Sequence, residues 1–212
     1  MLELGLKFTV AYLLGSLLGS LVVGRLRGGI DIRKLGSANA GATNALRTQG
    51  KVFALFVMLI DVGKGILAVL VIPGLSIPGV GIDPAVDRDL VLYGVAFAVI
   101  LGHVYPVWYG FRGGKGGATA AGLLFVIAPL VAPFIIAIWI AIVFITRFVG
   151  LATMSATVAA TGILAWQHLP EDQAIVIFAA CVAALMIFTH RANIVRMING
   201  TENRMGRRSG SA

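Results

Sequence analysis

The chain has 212 residues, 58% of them hydrophobic and 12% charged, with a net charge of +8 and a mean hydropathy of +0.95. A soluble domain carries about 25% charged residues, and one core of this size could not hide so much apolar surface. These values exclude a soluble globular fold and predict an all-α, polytopic integral membrane protein. Nucleic-acid binding is excluded too: the bases flank apolar stretches, and no basic–aromatic strip appears.

The first apolar run is about Leu4 to Val23, behind Glu3 and Lys7. It lacks a basic n-region and a small-x-small cleavage site, so a retained helix is expected rather than a signal peptide. The second run is Val52 to Ile72 and the third is Leu90 to Tyr109. A long run from Ala118 to Thr146 follows, interrupted by Pro129 and Pro133, then Phe148 to Leu169 and Ala174 to Thr189. A helix needs roughly 20 residues to cross the bilayer.

Loop charge sets the expected topology. Residues 25–51 carry six bases against Asp31, and the tail from Arg191 carries five Arg against Glu202. Residues 73–89 hold Asp83, Asp87 and Asp89 against Arg88, and Pro170 to Gln173 holds Glu171 and Asp172 without a base. The positive-inside rule puts the basic segments, including 110–117, in the cytoplasm. Every loop obeys it only where Ala118 to Thr146 crosses twice, turning near its prolines. Seven transmembrane helices are therefore expected, N-terminus outside and C-terminus cytoplasmic. They form one membrane-embedded domain over 1–212, with a basic tail from about residue 203. Small residues such as Gly15, Ser16, Gly19 and Ser20, and Ala156, Ala159 and Ala160, predict close helix packing. Cys181 has no cysteine partner and reads as a small core residue.

Three polar cassettes interrupt this pattern, all on the predicted cytoplasmic side. The first is GSANAGATNALRTQGK, Gly36 to Lys51. Gly36, Ser37, Asn39, Gly41, Thr43, Asn44 and Arg47 supply hydroxyl, amide and guanidinium groups among residues that permit tight turns. Taken alone, it reads equally as a capped loop with Ser37 or Asn39 as N-cap. It lacks the P-loop spacing.

The second cassette begins at Gly102, His103, Tyr105 and Pro106 and runs through Arg112, Gly113, Gly114, Lys115, Gly116 and Gly117 to Ala118 and Thr119. Glycines around one Lys at a helix start form a phosphate cradle of amides, helix dipole and point charge. The other reading is a flexible basic turn. His103, near a helix end, is open to a backbone hydrogen bond or to chemistry. The third cassette is HRANIVRMINGTE, His190 to Glu202, in which His190 and Asn193 share a helical face by their spacing. A stop-transfer flank would explain Arg191 and Arg196 but needs neither His190 nor Asn193. His168 reads as an interfacial residue. Asp61 and Lys64, mid-span at i, i+3, read as an ion pair that is structural or supports a site.

The three cassettes, in order over nearly the whole chain, resemble those of the bacterial acyl-phosphate:glycerol-3-phosphate acyltransferases, the PlsY family. Departures are Ala38 for a common Gly, Arg112 for a common Lys and Ala192 for a common Glu. The resemblance implies transfer of an acyl group from acyl phosphate to the 1-hydroxyl of glycerol 3-phosphate, the first committed step of bacterial phospholipid synthesis. The products are lysophosphatidate and inorganic phosphate. It implies a multi-pass protein of the bacterial inner membrane with a cytoplasmic site, the lipid bilayer as surroundings, and transient contact with the enzyme that makes the acyl phosphate. Ser37, Arg47, Lys115, His190 and Asn193 are the expected catalytic residues. Gly36, Asn39, Gly41, Thr43, Asn44, His103, Gly113, Gly114, Gly116, Gly117, Thr119 and Glu202 are the expected substrate-binding residues. No metal-ligand cluster is visible, so neither metal nor cofactor is expected. No H-x4-D pair appears, which sets the chain apart from the other large glycerol-phosphate acyltransferase class. An organic-phosphate transporter would place polar cassettes on both faces or mid-membrane. A cytidylyl- or phosphatidyl-transferase would need a metal-binding Asp array.

Overall fold

The computed structural model describes residues 1–206; the last six residues of the expected basic tail lie outside the described residues. The chain is all-α, as expected, and divides into two compact units, Met1–Ala128 and Pro129–Ala212.

In the first unit, α1 (Leu2–Gly15) is followed by α2 (Gly19–Leu26), a turn at Ile32–Lys34, α3 (Ala42–Gln49), α4 (Lys51–Val71), α5 (Arg88–Val104), a turn at Val107–Tyr109, and α6 (Gly117–Ile127). In the second, α7 (Ala132–Thr146), α8 (Val149–His168) and α9 (Gln173–Thr189) precede α10 (Arg191–Ile198). The acidic loops start helices as their residue types favour. Asp87 accepts from the Asp89 amide at the head of α5, and Asp172 accepts from the Ala174 and Ile175 amides at the head of α9.

Small residues set the close pairings. In the first unit α1 packs on α5, and α4 on α6. A Cβ on Gly15 would collide with the Val99 carbonyl, and one on Gly102 with the Tyr12 carbonyl. Gly65 and Gly122 admit the Thr119 and Val62 carbonyls between α4 and α6 in the same way. In the second unit Ala156 and Ala160 are buried on α8, which packs on α7 and α9. The opposite faces are apolar and open: Leu55, Phe56, Leu59 and Leu70 on α4, and Phe134, Ile140, Phe144 and Ile145 on α7 are exposed. In water such faces would drive aggregation; in hydrocarbon they are the favourable surface. Cys181, read as a core residue, is exposed on α9 among them.

Three stretches, Lys51–Gly74, Arg88–Tyr109 and Val149–His168, are long and apolar enough to cross a membrane, and two bent pairs, α1 with α2 and α9 with α10, bring the number to five. α6 and α7 are shorter apolar helices. The long run from Ala118 is broken at Ala128–Val131 as its prolines predict, with Pro133 in the first turn of α7, where a missing N–H costs nothing.

The first run is not the single helix expected from Leu4 to Val23. It breaks after Gly15 and bends by 44° into α2. The mid-span charges supply the reason. Lys64 Nζ donates to the carbonyls of Gly15 (2.8 Å) and Leu17 (2.9 Å), and Asp61 Oδ1 accepts from the Gly19 amide (3.1 Å). Backbone groups freed by a break at membrane depth need partners inside the protein, and the ion pair, 3.2 Å across, provides them.

Candidate active site

The first cassette is a loop built around Asn44, which is buried in α3. Its Oδ1 accepts from the Ser37 amide (3.0 Å), and its Nδ2 faces the carbonyls of Ile32 (2.9 Å), Leu35 (3.0 Å) and Asn39 (3.0 Å). Those contacts use the amide hydrogens and one lone pair of the oxygen. Asn44, expected among the substrate-binding residues, thus shapes the loop from within. A Cβ on Gly36, at φ +57°, would run into Asn44 Oδ1, so glycine is required there by both conformation and space. The N-cap of α3 is Gly41, without a side-chain cap, so neither Ser37 nor Asn39 caps that helix. Gly41 instead leaves room for the Asn39 side chain. Ser37 and Arg47 are exposed, and Thr43 is half-buried in the first turn of α3. Ala38, where the family commonly has Gly, sits at φ +57°. A side chain in that region costs about 1–2 kcal/mol.

Arg33 joins this loop to the second cassette, a role that its reading as an orienting charge missed. It pairs with Asp31 (2.9 Å) and donates to the carbonyls of Tyr109 and Arg112, both at 3.1 Å. The guanidinium hydrogen bond holds the Asp31 carboxyl below the usual carboxylate range.

In the second cassette, two of the expected cradle amides are already engaged. Gly113 N–H donates to Val104 O (3.1 Å) and Gly114 N–H to His103 O (3.0 Å), folding the loop back onto the end of α5. Gly116, at φ +88°, caps α6, whose first-turn amides at Gly117 and beyond begin the helix. Lys115 is half-buried just ahead of them. The geometry thus sets Lys115 beside the first-turn amides of α6, with the Gly113 and Gly114 amides turned back onto α5. Thr119, expected among the substrate-binding residues, is fully buried against Gly65 of α4. His103 is buried too. Its side chain meets side chains: Nδ1 lies 2.8 Å from Lys64 Nζ and 3.4 Å from Asp61 Oδ1.

The third cassette lies in the second unit. His190 ends α9, and Asn193 lies in the first turn of α10. Both pack on Gly150 of α8, where a Cβ would press on Asn193 and on the His190 ring. Gly150 was not visible as a site residue, because no motif surrounds it. His190 Nδ1 donates to Met186 O (2.8 Å), so the neutral ring carries its acceptor lone pair on Nε2. Glu202 accepts from Asn193 Nδ2 (2.6 Å) and from Arg196 Nε (2.7 Å). Glu202, expected among the substrate-binding residues, thus braces Asn193.

Comparison with known proteins decides the family. The family model for glycerol-3-phosphate acyltransferase matches residues 6–200. The chain belongs to the glycerol-3-phosphate acyltransferase family. Among its relatives are glycerol-3-phosphate acyltransferases of Chlorobaculum parvum, 40% identical over 95% of this chain and 97% of that one, and of Aquifex aeolicus, 39% identical over 92% and 95%. Two solved structures of PlsY, an integral membrane glycerol 3-phosphate acyltransferase, are similar to it throughout. The glycerol 3-phosphate form has a TM-score of 0.82 at 37% identity, covering 96% of each chain. The lysophosphatidic acid form has a TM-score of 0.80 at 36% identity, covering 96% of this chain and 95% of that one. The family resemblance carried by the three cassettes is thereby established, and with it an acyltransferase in a multi-pass membrane protein.

Proposed function

We propose that this acyltransferase moves a fatty acyl group from acyl phosphate to the 1-hydroxyl of glycerol 3-phosphate. The observation that carries the acceptor is the pair of forms in which the related PlsY is known, glycerol 3-phosphate and lysophosphatidic acid. The two differ by one acyl group on a hydroxyl. The donor follows from the motifs and from chemistry. An acyl phosphate is a mixed anhydride, already activated, so the protein has chiefly to hold two anions together and stabilise an oxyanion.

The hydroxyl oxygen attacks the acyl carbonyl carbon, the bond from that carbon to the phosphate oxygen breaks, and the hydroxyl proton leaves with a phosphate oxygen of bound substrate. Lys115 and Arg47 take phosphate charge. Ser37 and the first-turn amides of α6 donate to phosphate or oxyanion. His190 and Asn193 orient the attacking hydroxyl, with Glu202 fixing Asn193. The test of the reading is an assay of purified protein with acyl phosphate, acyl-CoA and acyl carrier protein as donors. Product from acyl phosphate alone is expected, and activity confined to a thioester donor would overturn it.

Lys115→Ala tests the phosphate role. It removes a point charge at the start of α6 and is expected to lower kcat/KM by about 10-fold or more. Full activity would show that the segment is only a turn.

The seven-span topology, with the N-terminus outside and the active site in the cytoplasm of a bacterial inner membrane, is part of the same proposal. It takes α6 and α7 as two short spans and each bent pair as one. Single cysteines at exposed Lys34, Arg112 and Asn199, in a background lacking Cys181, are expected to react with impermeant reagent only from the cytoplasmic side. Labelling of any one from outside would sink the model.

A further inference from the structure

The main chain at Gly114 does not explain why glycine stands there. Gly110 and Gly116 have positive φ, whereas Gly113 and Gly114 lie outside the left-handed region. Alanine could adopt the conformation of Gly114. It could not fit. A Cβ on Gly114 would collide with His103 Nε2, and it would lie 3.0 Å from the two ring carbons beside that nitrogen. The imidazole fills the space that a side chain at 114 would need.

Nor is the ring easily moved aside. Its Nδ1 lies 2.8 Å from Lys64 Nζ. Lys64 is itself fixed by the Gly15 and Leu17 carbonyls and by Asp61, which accepts from the Gly19 amide. An ammonium donating to Nδ1 requires a lone pair there, which puts the ring proton on Nε2, the edge that meets Gly114. The main chain adds a second grip, because the Gly114 amide donates to the His103 carbonyl (3.0 Å). Gly114 is thus held by the ring and by the backbone of one residue, and Lys115 is the next residue along.

We propose that His103 is a positioning residue: the chain Asp61–Lys64–His103 fixes Gly114 and thereby sets Lys115 at the start of α6, with no contact between His103 and substrate. Glycine at 114 admits the imidazole, not a phosphate. A buried ion pair that mends the break between α1 and α2 is, through this ring, also the support of the phosphate-binding loop. The kinetic part of the test rests on the proposed acyl transfer to glycerol 3-phosphate; the packing part does not.

The experiment is a double-mutant cycle on purified protein in detergent, using wild type, Gly114→Ala, His103→Asn and the double variant. Asparagine places an amide oxygen near the position of Nδ1, so Lys64 keeps an acceptor while the far edge of the ring is withdrawn. Melting is read first. Gly114→Ala is expected to lower Tm in the presence of His103 and to leave it nearly unchanged in the His103→Asn background. An equal loss in both backgrounds would show that Gly114 avoids something other than the ring, and would overturn the proposal. If Gly114→Ala yields no folded protein, recovery by adding His103→Asn supports the inference, and failure to recover it overturns it.

Kinetics then separate positioning from mere stability. His103→Asn displaces the charge of Lys115 without removing it. It is expected to raise KM for at least one of the two phosphate-bearing substrates by roughly 10-fold, with kcat changed far less. Wild-type KM for both substrates would overturn the positioning role. Absence of acyl transfer in the wild type would instead sink the proposed function, and the melting cycle would still decide whether the ring holds Gly114.

Discussion

Under the proposed acyl transfer, His190→Ala is expected to lose about 100-fold in kcat while keeping the acid limb of its pH profile, because in that proposal the residue orients a hydroxyl and does not take its proton. The alternative has a different signature. A general base contributes roughly 100- to 10,000-fold, and its removal abolishes the limb due to its own ionisation, for an ordinary imidazole near pH 6.5. The geometry leaves both routes open to the ring, since the Nδ1 bond to Met186 O puts the acceptor lone pair on Nε2. Chemistry favours the first. An acyl phosphate donor, as proposed, is already activated, and a phosphate oxygen of bound substrate is an acceptor that needs no protein group. The deciding measurement is kcat against pH for wild type and His190→Ala, both at saturating substrates. Loss of the acid limb in the variant would make His190 the base.

The way the site is held explains what the sequence could and could not reveal. The cassettes were legible because their chemistry is local. Gly116 with Lys115 at a helix start, or His190 three residues before Asn193, announces itself within one turn. The Asp61–Lys64 pair was legible for the same reason, and its 3.2 Å separation bears out the i, i+3 reading. What it does was not legible, because its partners lie elsewhere: the Gly15 and Leu17 carbonyls are 49 and 47 residues away, and His103 is 39. Only helix packing brings these groups together, and no spacing rule encodes it. The break between α1 and α2 was missed on the same account, since a run of apolar and small residues reads as a continuous helix until a buried cation claims its carbonyls. Glu3 is a further case. It was read as part of a polar N-terminal flank, yet it is buried, bonded to Lys7 at 2.8 Å and to both terminal nitrogens of Arg88, 85 residues away. Asn44, Thr119 and Glu202 show a different limit, each being bonded or buried within the protein. Each belongs to a motif, and motif membership does not separate a residue that meets a ligand from one that holds the loop in shape.

Lys64→Ala is expected to destabilise the protein by about 3–5 kcal/mol, the cost typical of leaving one half of a buried ion pair alone. Three losses coincide. The Gly15 and Leu17 carbonyls lose their donor at a helix break where no water competes, His103 Nδ1 loses its partner, and the fully buried Asp61 keeps, among the described groups, the Gly19 amide to offset its charge. Among the described residues Asp61 Oδ2 has no hydrogen-bond partner, so the carboxylate has little reserve to draw on. The companion variant is the double replacement Asp61→Asn, Lys64→Met. It removes both charges, keeps an amide oxygen for the Gly19 N–H, and fills the ammonium stem with an apolar chain of similar length. It still leaves the two carbonyls unmet, so it is expected to fall between Lys64→Ala and wild type. Melting of the three proteins in one detergent is the measurement, with rates of tryptic cleavage as a second reading of opening. A double variant no more stable than Lys64→Ala would mean that the uncompensated charge of Asp61 is not the dominant cost, since both variants leave the two carbonyls unmet. Lys64→Ala melting with wild type would mean that the break between α1 and α2 holds without its cation.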